Sequence, residues 1–324
     1  MMLTRRAALL APLALAGLLG PARADGRLRV GTLKFGSVNW VLDTIAAEGL
    51  DAKEGISIDR VELASNQSLA VAFQSGDVDL IVNDWFWAMR QRSEGEPLLF
   101  APYSSALGAV MAPAGGIGTL SDLKGRRIGV AGSALDKSWL LLRAHAREAL
   151  GGDLATLAEP VYGAPPLLSE QIRLGRIDAA LTYWNFAARL DAAGLHRVVD
   201  MADVVASLGV TPSPPLVGFV WRASLPGAQA AALAGFFRAV AAANEVLGRS
   251  DAAWERLRAP MRAETAAEFT RLRDYFRAGI PVPWGEAHTR AAERLFDILR
   301  ELGGSGLLGE RTRFDAALFG RAAG

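Results

Sequence analysis

Cysteine is absent from all 324 residues, which excludes disulfides, cysteine-ligated metal and a lipid-modified N-terminal cysteine. Histidine is nearly absent. His145, His196 and His288 lie far apart, none in a His-x-x-x-His or similar spacing, so each reads as a core or surface residue and no zinc site is expected. The scattered Asp43, Asp84 and Asp136 make a poor cage for a hard cation, and no cofactor is implied. Ser133 does not sit in a Gly-x-Ser-x-Gly elbow and no Ser/His/Asp order can be assigned, so catalysis has no candidate. Neither sign of charge is in excess, with 35 Lys and Arg against 34 Asp and Glu, which gives no reason to invoke nucleic acid or anionic membrane.

The first 24 residues follow an export pattern: Arg5-Arg6, an apolar run over 7–20, then Ala22-Arg23-Ala24, a small-x-small cleavage site. About 14 apolar residues are too few to span a bilayer. Both the general secretory and the twin-arginine route fit, and cleavage is expected after Ala24. The remainder holds 32 basic and 34 acidic residues, a net charge of −2, and is expected to be a soluble periplasmic monomer. About 300 residues bury a large core and usually divide in two.

Strand patterns over 28–32, 56–63 and 78–82 alternate with helix patterns over 38–47 and 68–74, which predicts a parallel α/β sheet. The order repeats about a hundred residues later, with strands over 127–131 and 160–162 and a helix over 138–150. Gly76 to Trp85 lies over Gly175 to Trp184 without a gap, and Ala88 and Arg90 over Ala187 and Arg189. Two such units predict two lobes whose strand carboxyl ends share a crevice. After a strand pattern at 216–221 the chain is helical over 227–247, 251–257, 264–278 and 286–302, a tail expected to pack back on the first lobe.

Several segments carry a family resemblance: Arg29-Val30-Gly31, Glu48-Gly49-Leu50 before Lys53-Glu54-Gly55, Gln74 to Asp79, and Leu120 to Gly125 leading into Arg127-Ile128-Gly129-Val130. With these the chain resembles periplasmic solute-binding proteins of ABC transporters, of the nitrate, sulfonate, taurine and thiamine-precursor type. The resemblance implies a type II periplasmic binding fold, two α/β lobes joined by a two-strand hinge, with lobe one at 25–108 plus 215–324 and lobe two at 109–214. It also implies capture of a small organic solute, anionic, sulfonate-like or aromatic, and delivery to an ABC transporter permease. An alternative within the wider fold is a periplasmic accessory protein of a quinoprotein dehydrogenase, with no transport role. A related enzyme class that makes the thiamine pyrimidine needs a cysteine-rich segment that this chain lacks.

The ligand is expected on the strand-end loops. In lobe one these supply Lys34, Phe35, Asn39, Trp40, Gln67, Asn83, Asp84, Trp85, Tyr103 and Ser104, and in lobe two Ser133, Lys137, Ser138, Tyr183, Trp184 and Asn185. Ser133, Lys137 and Ser138 at a helix start fit an anion pocket, although a plain cap and a solvated lysine explain them as well, and Asp136 opposes an anion there. The Gly129-x-x-Gly132 run lacks the glycine that a phosphate-binding loop needs before Lys137. Trp40, Trp85 and Trp184 are expected to face the cleft, and Trp87 and Trp139 the core.

Overall fold

The computed structural model describes residues 26–34 and 36–320; Phe35 and the export segment lie outside the described residues. The first half runs β1 (Arg27–Leu33), α1 (Val38–Ala47), α2 (Leu50–Glu54), β2 (Ser57–Leu63), α3 (Asn66–Gln74), β3 (Leu80–Asp84), α4 (Trp85–Ser93) and β4 (Leu98–Ser104). The chain then passes into β5 (Ala109–Ala112), β6 (Arg127–Ala131), α5 (Lys137–Leu150), α6 (Leu154–Leu157), β7 (Glu159–Gly163), α7 (Pro165–Arg173), β8 (Ala179–Thr182), α8 (Trp184–Ala192), β9 (His196–Asp200) and α9 (Met201–Ser207). It returns through β10 (Val217–Arg222) to α10 (Gly227–Arg249), α11 (Asp251–Arg256), α12 (Arg258–Met261), α13 (Ala266–Ala278) and α14 (Glu286–Leu308).

The strands form two five-stranded sheets, ordered β2-β1-β3-β10-β4 and β7-β6-β8-β5-β9. In each, three parallel strands are followed by a strand antiparallel to both its neighbours, β10 in one and β5 in the other. Two α/β units with this order and a helical C-terminal region are the type II arrangement anticipated above. The duplicated residues explain why both halves fold alike. Asp79 accepts the Arg29 amide at 2.7 Å, and Asp178 the Arg127 amide at 2.8 Å, each pinning a third strand to the start of the first. Gly31 and Gly129 admit the close approach of that layer: a Cβ would lie 2.9 Å from Ile81 and 2.5 Å from Ile177.

The tail departs from expectation. Helices α10 and α12 pack on α1, but α13 packs along α8 and α14 against both α4 and α5, so the tail touches both halves. The reason is apolar continuity. Leu295, Phe296 and Leu299 of α14 join Trp85 and Phe86 to Leu140, Ile128 and Val130 in one buried cluster. Polar bonds reinforce the crossing. The Arg189 guanidinium pairs with Glu268 and donates to Met261 O at 2.9 Å, while Tyr275 Oη donates to Asp191 at 3.0 Å. Helix α10 is long and apolar enough to cross a membrane, yet here it buries Phe236 and Ala243 in the core around Phe219 and Trp254.

Candidate ligand cleft

Three helices begin at strand carboxyl ends and meet between the sheets. Helix α4 starts directly after β3, and its cap Asp84 accepts the Trp87 amide at 2.9 Å. The other Asp84 oxygen accepts from Lys137 Nζ at 3.2 Å, an ion pair that joins the two halves with both side chains about a quarter exposed. Lys137 Nζ also stands 5.7 Å over the Phe86 ring. Helix α5 is capped by Asp136, which accepts the amides of Ser138 at 2.9 Å and Trp139 at 3.2 Å. Burial raises the Asp136 pKa, opposed by those amides and Lys137, with the Asp84 charge adding to the rise. Tyr183, the cap of α8, is pushed up to about 12 by burial and then by the negative charges of Asp136 and Asp84. The two carboxylates and the phenol therefore share one field. Gly132 turns the chain here at φ +99°, a conformation that favours glycine, and lies beside both groups: a Cβ would stand 3.4 Å from Tyr183 Oη and 3.5 Å from Asp136 Oδ2.

A second junction is aromatic. Trp184, half-buried at the start of α8, meets Trp40 of α1 edge to face, centroids 6.1 Å apart and planes at 88°. Phe276 lies 5.9 Å from Trp40 and 6.4 Å from Trp184, and Trp254 backs Trp40 at 6.0 Å. Aromatic pairs in this geometry contribute roughly 0.5–1.5 kcal/mol beyond their buried area.

A family profile described as NMT1/THI5 like matches residues 45–246, well over half of the chain. The chain belongs to this family. Its fold is similar to that of the alkanesulfonate-binding protein SsuA from Xanthomonas axonopodis pv. citri bound to MOPS, with a TM-score of 0.66 and 18% identity over 89% of this chain and 96% of that one. It is similar also to the periplasmic aliphatic sulphonate binding protein SsuA from Escherichia coli, at a TM-score of 0.68 and 18% identity over 88% and 94%. The desulfurization enzyme DSZB shares the fold at a TM-score of 0.58 and 17% identity, over 90% and 95%. No curated protein matches the chain in sequence.

Within this family member the residues expected at the site separate into three groups. Asp84, Lys137 and Tyr183 come together at the first junction. Trp184 stands half-buried at the second, but Trp40, expected to face the cleft, is only 6% exposed and belongs to the core around Phe219 and Trp254. A second group stands at the strand ends but is engaged locally. Asn39 donates to Leu33 O at 2.9 Å, Asn83 accepts the Asp84 amide at 2.8 Å, and Tyr103, its pKa raised by burial, donates to Ser37 Oγ at 3.0 Å. Lys34 and Gln67 are exposed and Asn185 half-buried in the first turn of α8. The third group serves the backbone: Ser104 accepts the Ala106 amide at 3.1 Å, and Ser133 the Leu135 amide at 3.2 Å. Ser133 does not cap α5, since Asp136 takes that place, and with the Ser138 amide bound to Asp136 the expected anion pocket there is already filled by a carboxylate.

Trp85 is a correction. Its side chain is fully buried, stacked 3.6 Å from Phe86 and edge-on to Phe319 at 5.7 Å, because α14 and the turn at Ala316–Phe319 cover α4. Trp139 is core as expected. Phe86, Trp254 and Phe276 were not anticipated at the junctions.

Proposed function

We propose that the chain is the extracytoplasmic substrate-binding component of an ABC importer, a periplasmic protein that takes a small organic solute between its two halves and presents it to a permease. The observation that carries the reading is the meeting of side chains from both sheets at the strand carboxyl ends, Asp84 with Lys137 and Trp40 with Trp184. Ligands of open α/β sheets bind at such ends, and hinge closure sequesters them. Only two segments, 105–108 and 201–216, carry the chain between the sheets, and hinge bending is expected there. Family membership and the fold shared with two sulfonate-binding proteins support the same reading. Because an enzyme shares the fold as well, the fold alone assigns no function.

The test is a thermal-shift screen of the exported chain against sulfonates, taurine, nitrate, thiamine precursors, aromatic acids and metal ions. A ligand at about 100 times its dissociation constant adds roughly 2.7 kcal/mol of stability, several degrees in Tm. A response confined to one chemical class identifies the cargo. Silence across the panel favours the accessory role or a ligand outside the panel.

A further inference from the structure

The tail joins the two halves in two places of opposite character. At α14 the contact is apolar: Leu295, Phe296 and Leu299 are fully buried, and the Phe296 ring lies 6.2 Å from Phe86 with planes at 7°. The Asp84–Lys137 pair stands on this side, since Lys137 Nζ sits over the same Phe86 ring. At α13 the contact is largely polar. Glu268, Arg271 and Tyr275, spaced i, i+3 and i+7, form one stripe that meets α8. Glu268 pairs with Arg189, Arg271 Nε stands 3.4 Å from Asp191, and Tyr275 Oη donates to Asp191 at 3.0 Å. Arg189 also donates to Met261 O at 2.9 Å and Arg262 O at 3.3 Å. The adjoining stripe of α13 is apolar and belongs to the first half: Phe269, Leu272 and Phe276 are buried with Trp40 and Trp254. Arg277 and Arg273 tie the same helix to Asp251 of α11, at 2.8 and 3.3 Å. From α8, only Ala188 and half-buried Trp184 join that apolar cluster, while Tyr275 rests on the smaller one around Leu190.

The two contacts differ in what separation costs. Parting α14 from α4 or α5 would expose buried hydrocarbon, whereas hydrogen bonds and ion pairs at a part-exposed surface are replaced by water at small net cost. Parting α13 from α8 also rehydrates the Arg189–Glu268 pair, whose carboxylate residue is only 8% exposed while the helices touch. Helix α13 therefore stays with the first half, and its polar stripe is the surface that can open.

We propose that the α8–α13 contact is a clasp that gates the cleft: the halves part there, swinging about the apolar crossing at α14, and solute enters beside Trp184. Asp191, Arg271 and Tyr275, with Arg189 and Glu268, set how much of the unliganded protein is open. The proposal rests on the importer reading, since it concerns access to that same cleft.

The test needs no ligand, so its outcome is independent of the thermal-shift screen. Because the chain has no cysteine, paired substitutions place nitroxide labels at chosen sites. One pair, Ala193→Cys with Thr270→Cys, spans the clasp, and the other, Ala149→Cys with Glu293→Cys, spans α5 and α14; all four positions are exposed. Distances are measured by pulsed electron resonance in the exported chain and in a Tyr275→Phe, Arg271→Gln background, with circular dichroism and Tm verifying that each variant is folded. The clasp pair is expected to show a second, longer distance whose population, relative to the short one, rises about tenfold in that background, which lacks one charge-assisted bond and one exposed ion pair. The α5–α14 pair is expected to keep one distance throughout. A longer distance that appears in the α5–α14 pair, alone or together with the clasp pair, overturns the proposal, because the apolar crossing is then not the pivot. So does a single distance in both pairs in both backgrounds, or a longer population in the clasp pair that the two substitutions leave unchanged. Any of these results leaves the importer reading to the ligand screen.

Discussion

The duplicated aspartates provide a comparison in which one contact occurs twice at different depth. Asp79 is 7% exposed, while the Asp178 side chain is 33% exposed. Asp79 accepts the Arg29 amide at 2.7 Å, Arg29 Nη2 at 2.6 Å and Arg29 Nε at 3.2 Å, with Gln229 at 3.4 Å. Asp178 accepts the Arg127 amide at 2.8 Å, and the Arg127 guanidinium comes no closer than 3.9 Å. Replacing Asp79 by alanine strands a strand-start amide in a nearly dry site, costing about 2 kcal/mol for a charge-assisted bond. The Arg29 pair, discounted because that arginine is more than a third exposed, adds about 1 kcal/mol at most. Asp178→Ala loses one bond that water can replace and an ion pair too long and too exposed to count, about 1 kcal/mol in all. At about 2 °C per kcal/mol for a chain of this size, D79A should lower Tm by about 6 °C and D178A by about 2 °C. Calorimetry with urea titration as a second probe gives both values. Equal losses, or a larger loss in D178A, would show that burial does not set the strength of this latch.

Gly108→Ala should cost about 3 kcal/mol or more, since its Cβ would lie 2.0 Å from Thr182 O beside the β5–β8 pairing, whereas Gly116→Ala, with nothing within 4 Å, should be neutral by the same Tm measurement. Trp85→Ala should lower stability by about 3–5 kcal/mol as a buried cavity. Trp184→Ala should cost less, about 1–2 kcal/mol, and should weaken ligand binding in titrations that W85A, where still folded, leaves nearly unchanged. Asp153 is held well below the usual carboxylate range, first by its bond from Arg143 and further by the Ala155 amide and Arg147. A depressed carboxylate stabilises the fold above its ordinary pKa near 3.9 and loses that contribution as pH falls below it. Asp153→Asn should therefore lower Tm by the equivalent of about 1–2 kcal/mol at pH 7, discounted for the half-exposed Arg147, with the gap to the parent closing from about pH 4 downward.

The alternation of strands with capped helices was readable because buried parallel strands form short apolar runs, as at Leu80 to Val82 and Ala179 to Leu181, each preceded by a helix that stops at a glycine of positive φ, Gly76 and Gly175. The repeat was readable for the same reason: Gly31 with Asp79, and Gly129 with Asp178, are demanded by close contacts inside each unit. Strands β4, β5 and β9 carry no such signal. Buried throughout, Ala109 to Ala112 has neither alternation nor β-branched enrichment beyond Val110, and only its pairing with β8 and β9 makes it a strand.

The candidate site divides along the same line. Local chemistry put aromatic, acidic and basic residues at strand ends, and Asp136 beside Lys137 already opposed an anion there. Which of two equivalent tryptophans stays partly open depended on distant chain. Trp85 and Trp184 occupy the same place in the repeat, yet Phe319 and the α14 cluster seal the first, while the second meets Trp40. Lys137 found Asp84 rather than solvent because packing of α14 on both α4 and α5 brings groups 53 residues apart to 3.2 Å. Sequence by itself determined the elements and the chemistry at their ends, because those follow from near neighbours along the chain. Tertiary structure decided which ends face each other and with what charge left over, because that depends on surfaces buried between segments hundreds of residues apart.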